Sequence, residues 1–370
     1  MILGVNGPQG APGTQGSQPA PAQKATLHQV EAPAAVATPD TSRNVHILMT
    51  SNGSPYINWQ SRMMYGSFLR VQKMPGGERM TGFTRILHRS KDDGLSGEMP
   101  TFRADPLHPQ CDTWCQYPVA DRPNAVRQYF DALHSGREQT TAEWLYLGET
   151  DYIWIKPLQA PPVTDPKEQG LAYMFSYIQP ASASLAKAIR ALYPESKGPV
   201  SDIPRTGPAP AMMRKSDWLR VCPDWERLTA QIEASEELKT ALGWVREMYA
   251  FSVALALEKV QLRVDPAPVS PLIAQPPSDA VPGEASALHY TWASTFKDKD
   301  RKEVYSFDKR TWVAPDIVKP VKKPDLPPPF QEGWTIGDSR KLTKPIYDTV
   351  FQLLQGMRDA ADEMNRRFPA

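Results

Sequence analysis

The chain has 370 residues, of which 41% are hydrophobic and 22% charged, enough to bury one large core or two small ones. A formal net charge of +1 sets up no field that would select nucleic acid or an acidic membrane surface. No apolar run reaches the roughly 18 residues of a membrane span, and three cysteines are too few for a disulfide framework, although Cys111 and Cys115 are spaced to close a small loop.

Residues 1–42 are Pro, Ala, Gly, Gln and Ser with few large apolar side chains, so they bury too little to offset chain entropy and read as a disordered arm. Residues 43–370 read as a single folded domain. Its first strand is Asn44-Val45-His46-Ile47-Leu48-Met49-Thr50, stopped by the turn cluster Ser51-Asn52-Gly53-Ser54-Pro55. A helix follows from Trp59 to Val71, then a strand at Arg85-Ile86-Leu87-His88. Strands alternating with helices predict an α/β fold with a mostly parallel central sheet. Ligands bind such sheets beyond the carboxyl ends of the strands, which draws Thr50, Ser51, Gln60, Arg62 and Arg85 toward a nucleotide.

A third strand, Trp144-Leu145-Tyr146-Leu147-Gly148, runs into Glu149-Thr150-Asp151. Carboxylates at i and i+2 past a buried strand suit Mg²⁺ or Mn²⁺ bridging a diphosphate; taken alone, the pattern is equally that of an ordinary turn. From Glu237 to Val260 the residues Leu238, Leu242, Val245, Tyr249, Val253, Ala256 and Val260 form one helical stripe. Trp244, Phe251 and Ala254 lie on the other side around Glu247, predicting an enclosed helix. Its carboxylate either pairs with Arg246 or a backbone donor, or faces substrate. His289, in Leu288-His289-Tyr290-Thr291-Trp292, is either structural or the imidazole that completes a metal site. Beyond it, Lys309 and Arg310 are either a solvated surface or a diphosphate clamp. A Pro-rich strap over residues 315–329 precedes a closing amphipathic helix from Ile346 to Met364.

No phosphate-binding loop, dinucleotide fingerprint, serine-hydrolase elbow or zinc-protease helix is present. Several segments, in order from about residue 44 onward, carry a family resemblance. They include Trp59-Gln60-Ser61-Arg62-Met63-Met64-Tyr65, Met80-Thr81-Gly82-Phe83-Thr84-Arg85-Ile86-Leu87-His88, Glu149-Thr150-Asp151, Phe175-Ser176-Tyr177-Ile178-Gln179-Pro180, Gly243-Trp244-Val245-Arg246-Glu247-Met248-Tyr249, His289-Tyr290-Thr291 and Phe307-Asp308-Lys309-Arg310. The chain resembles the hydroxyproline O-arabinosyltransferases of plants and green algae.

The resemblance implies a GT-A-like glycosyltransferase that moves β-L-arabinofuranose from its UDP donor to the 4-hydroxyl of hydroxyproline, with retention. It implies Mn²⁺ (or Mg²⁺) on Glu149, Asp151 and His289, and donor contacts from Gly207, Lys309 and Arg310. Asp151 and Glu247 are the expected catalytic residues, with Glu247 on the acceptor side. The acceptor would be a hydroxyproline-rich peptide in polyproline II form and the compartment the Golgi lumen, although the family's usual membrane anchor is not visible. Departures are Asn124 after Arg122-Pro123, Ser278 after Gln275-Pro276-Pro277, and Ala293-Ser294-Thr295 in place of a glycine-containing turn. A peptidyl-serine α-galactosyltransferase-like enzyme and a lapsed paralogue that binds Pro-rich peptides are the alternatives.

Overall fold

Seven apolar-rich residues with no glycine or proline make β1 (Val45–Ser51), buried along its whole length in this computed structural model. The structure describes residues 41–107, 112, 116–160, 169–337 and 339–369. Apart from Thr41 and Ser42, the arm expected over residues 1–42 lies outside them, as do Cys111 and Cys115. Residues 40–370 form one compact unit.

The other strands are β2 (Met80–His88), β3 (Thr101–Ala104), β4 (Trp144–Gly148), β5 (Tyr152–Trp154), β6 (Gly170–Tyr173), β7 (Ala211–Arg214), β8 (Arg263–Asp265), β9 (Ile273–Ala274), β10 (Ala287–His289), β11 (Ser294–Lys297), β12 (Glu303–Phe307), β13 (Thr335–Ile336) and β14 (Arg340–Lys341). The helices are α1 (Pro55–Val71), α2 (Arg122–His134), α3 (Ala186–Leu192), α4 (Lys215–Glu233), α5 (Glu236–Leu242), α6 (Arg246–Leu257) and α7 (Lys344–Arg367).

The main sheet has seven strands in the order β3-β2-β1-β4-β7-β6-β8. It is mixed and mostly parallel: β7 alone runs against its neighbours, β4 and β6. β4 is central and wholly buried, flanked by β1 and β7, which is why its sequence is continuously apolar instead of alternating. The chain leaves β4 at Gly148, turns through Glu149 and Thr150, and enters β5 of a small second sheet, β5-β10-β9. Antiparallel pairing of β5 with β10 sets Tyr152 opposite His289.

Two elements run differently from their sequence pattern. α1 begins four residues earlier than expected, because Ser54 caps it, accepting from the Ile57 N–H at 3.4 Å, and Pro55 fits the first turn. The helix expected from Glu237 to Val260 is broken: α5 stops at Leu242, Gly243 takes φ +62°, and a 3-10 turn leads into α6. A glycine with positive φ is the usual helix terminator, while the apolar stripe continues across the break. Trp244, expected to be enclosed, is instead 66% exposed, since the turn carries it out of the packed face.

α7 packs across α1. Gly66 permits the crossing, for a Cβ there would run into the Ala360 carbonyl oxygen. The Pro-rich strap lies over both helices. Trp59 Nε1–H donates to the Lys322 carbonyl (2.9 Å), and the Asn365 side chain exchanges two hydrogen bonds with the Val321 backbone (2.7 and 3.1 Å).

Candidate active site

Beyond the carboxyl end of β4 a pocket of about 590 Å³ opens between the start of α1 and the start of α2. Its wall includes Thr50, Tyr56, Gln60, Arg122, Glu149, Asp151, Trp244 and Lys309. This is the crevice where sheets of this kind hold ligands.

Glu149, Asp151 and His289 each present one ligand atom, all within 4.8 Å of one another. His289 Nε2 is 3.1 Å from Asp151 Oδ2 and 3.5 Å from Glu149 Oε2, with the Thr291 hydroxyl at 2.7 Å. The β5–β10 pairing supplies the imidazole, and the Tyr290 N–H donates to the Asp151 carbonyl at 3.2 Å. Two carboxylates and an imidazole suit a divalent cation: hard oxygens with one borderline nitrogen. Burial would raise the Asp151 carboxyl, but His289 and Lys309 beside it outweigh that and hold it well below the usual range, so it stays an anion.

A second carboxylate approaches from α6. Glu247 is buried in the first turn of that helix, and neither of its oxygens has a hydrogen-bond partner among the described residues. Its charged neighbour is Arg122, whose Nη1 stands 3.6 Å away while Nη2 binds Glu149 Oε1 at 2.6 Å. Burial pushes the Glu247 carboxyl up to about 7, and Arg122 only partly counters this. Arg122 thus stands between Glu149 of the acidic cluster and Glu247 of α6. Arg246, the partner considered for Glu247 from the sequence, turns away to Glu233 (2.5 Å) and stacks over Tyr117.

The expected donor-contact residues fall in two groups. Thr50, Gln60 and Lys309 line the pocket; Gln60 accepts from the Thr150 hydroxyl (2.9 Å), and Lys309 bonds Asp151. Ser51 is buried beneath and caps the Gly53 N–H (3.2 Å). Arg62 is fully buried and committed to Glu98 (2.9 Å), the Val318 carbonyl (2.5 Å) and the Phe368 carbonyl (3.1 Å). Arg85 is likewise held by Asp93 through two bonds (2.9 and 2.6 Å). Gly207 packs against Met248, and Arg310 faces solvent on Asp308. None of these five reaches the pocket wall.

Wall residues not picked out from the sequence include Arg122, Tyr56, His88 and Asp121. His88 Nδ1 bonds Asp121 Oδ2 at 2.8 Å. Arg122 opens α2 directly before Pro123, and that Arg-Pro helix start was the signal available.

A mixed, mostly parallel sheet flanked by helices, with acidic residues just past the carboxyl end of its central strand, gives the class of fold: an α/β domain with its candidate site at the strand ends. The family model described as "Hydroxyproline O-arabinosyltransferase family N-terminal domain" matches residues 45–264, and the chain belongs to that family. It is 34% identical over 296 residues to hydroxyproline O-arabinosyltransferase PLENTY of Lotus japonicus, covering 78% of this chain and 76% of that one. It is 33% identical over 295 residues to hydroxyproline O-arabinosyltransferase 1 of Arabidopsis thaliana, covering 78% and 75%. Among solved structures it is similar to the galactosyltransferase LgtC bound to donor and acceptor sugar analogues, with TM-score 0.37 and 9% identity over 67% of this chain and 87% of that one. It is also similar to mouse xyloside xylosyltransferase 1, with TM-score 0.36 and 13% identity over 67% and 98%.

Proposed function

We propose that the protein transfers β-L-arabinofuranose from UDP-β-L-arabinofuranose to the 4-hydroxyl of hydroxyproline in Pro-rich peptides, with retention of configuration, in the Golgi lumen. The observation that carries this reading is the convergence of Glu149, Asp151 and His289, their ligand atoms within 4.8 Å of one another beside the pocket, in a chain of this family. Mn²⁺ or Mg²⁺ on these three residues would supply positive charge to the departing diphosphate. The chain's own contribution is to hold the ligands in place: Arg122 fixes one oxygen of Glu149 and leaves the other facing His289.

In the proposed transfer the bond from the anomeric carbon to the UDP oxygen breaks, and a bond to the hydroxyproline oxygen forms on the same face. The hydroxyl proton passes to the departing phosphate oxygen. The three carboxylates that line the pocket are all held by other partners, which argues against a covalent nucleophile there: Asp151 by His289 and Lys309, Glu149 by Arg122, and Asp121 by His88. Glu247 is enclosed behind that wall, 3.6 Å from Arg122, and in this reading orients groups on the acceptor side instead of forming a covalent intermediate. The exposed face of Trp244 at the pocket wall gives a polyproline II peptide an aromatic surface to lie on.

The test is incubation of the protein with Mn²⁺, a hydroxyproline-rich peptide and either UDP-β-L-arabinofuranose or UDP-galactose, read by peptide mass. A pentose increment that Asp151→Ala abolishes is expected. A hexose increment would move the protein to galactosyl transfer, and unmodified peptide with both donors would overturn the enzymatic reading.

A further inference from the structure

Lys309 stands where a cation belongs. Its ammonium bonds Asp151 Oδ2, the same oxygen that faces His289 Nε2, so one of the three ligand residues is already matched with a positive charge. Only 16% of the lysine side chain is exposed, and its stem runs past Tyr290, with Nζ 5.9 Å from the ring centroid. The nearby Asp308 gives it no second anchor, because Arg310 occupies both oxygens of that carboxylate.

We propose that Lys309 closes the ligand cluster to a bare divalent cation and yields it to one that arrives with a diphosphate. The inference rests on the transferase reading above and adds a binding order to it. A cation entering alone must break the Lys309–Asp151 pair and leave an ammonium largely buried without an anion, a state that is strongly disfavoured in a protein interior. A cation entering with a nucleoside diphosphate brings its own oxygens. Lys309 then exchanges a carboxylate for a phosphate, and no charge is stranded. Such an exchange makes cation and nucleotide binding cooperative, and the coupling is reciprocal: each raises the other's affinity by the same factor.

The experiment is calorimetric titration of the metal-stripped full chain with Mn²⁺, alone and with saturating UDP, for wild type, Lys309→Met and Lys309→Arg. In wild type UDP should raise the Mn²⁺ affinity at least ten-fold. Lys309→Met removes the charge and keeps the chain length. It should bind Mn²⁺ alone roughly ten-fold more tightly than wild type, and UDP should raise that affinity by a smaller factor than in wild type. Lys309→Arg retains the charge and should keep both the weak binding of Mn²⁺ alone and the gain with UDP, which separates the effect of charge from one of packing. If Lys309→Met binds Mn²⁺ alone no better than wild type, or UDP raises its affinity as much as in wild type, the inference fails and the transferase reading stands. If wild type binds Mn²⁺ neither alone nor with UDP, both fall together.

Discussion

Glu247 shows at the scale of a single residue how burying an acid opposes stability. Its carboxyl has a folded-state value of about 7 against an ordinary 4.5, so between those pH values the native protein holds a proton that the unfolded chain has lost. Stability therefore falls as pH rises through that window, by about 3 kcal/mol for a shift of this size. Glu247→Gln should be more stable than wild type at pH 8, by up to that amount, with the difference vanishing near pH 4. Urea midpoints at the two pH values measure it, and peptide transfer should drop at least a hundred-fold in the same variant. The clustering of Glu149, Asp151 and His289 was legible in the sequence because acidic and imidazole side chains stand out against apolar strands. Arg122 was not, since an arginine at a helix start is ordinary until the fold sets it between two carboxylates from β4 and α6. Arg62 and Arg85 misled for the opposite reason: both lie close in sequence to the ends of pocket-forming strands, and both are spent on internal ion pairs.

Periodicity made the elements legible and concealed one boundary. The stripe from Leu238 to Val260 keeps its phase across Gly243, so a moment-based reading fuses α5 and α6, while the glycine's positive φ separates them. No atom lies within 4 Å of a Cβ built there, so Gly243→Ala should cost only the conformational strain, about 1 kcal/mol. Because Trp244 follows directly, the same variant should raise KM for the peptide more than KM for the donor. Gly66 is the contrasting position. A methyl there meets backbone of α7, so Gly66→Ala should destabilise by about 2 kcal/mol or more through separation of α1 from α7, measurable as a lowered thermal midpoint with no change in Mn²⁺ stoichiometry.

Across the whole molecule, two buried titrating groups oppose each other. His46 is held neutral between the Thr140 and Thr84 hydroxyls (2.9 Å each), and burial lowers it from 6.5 to about 4. The unfolded chain binds the extra proton between those values, so this stabilisation is present above pH 6.5 and is lost as pH falls toward 4. Its slope is opposite to that of Glu247 and overlaps it from about pH 4.5 to 6.5. Wild-type stability should therefore be nearly flat across that range as far as these groups govern it. Glu247→Gln should unmask the histidine, losing about 3 kcal/mol on acidification from pH 7 to 4, as denaturation at stepped pH would show. The sheet order and the joining of the two sheets at the pocket were beyond sequence pattern, because strands of two to four residues such as β5, β9 and β10 carry too little periodicity to be paired in advance.

The pairing of β5 with β10 also dictates a schedule for biosynthesis. The acidic ligands Glu149 and Asp151 leave the ribosome long before His289 and Lys309, and α7, which covers the first helix, emerges last. A chain that stops short of β10 carries both carboxylates and lacks the imidazole, so the three-residue cluster is complete only late in translation.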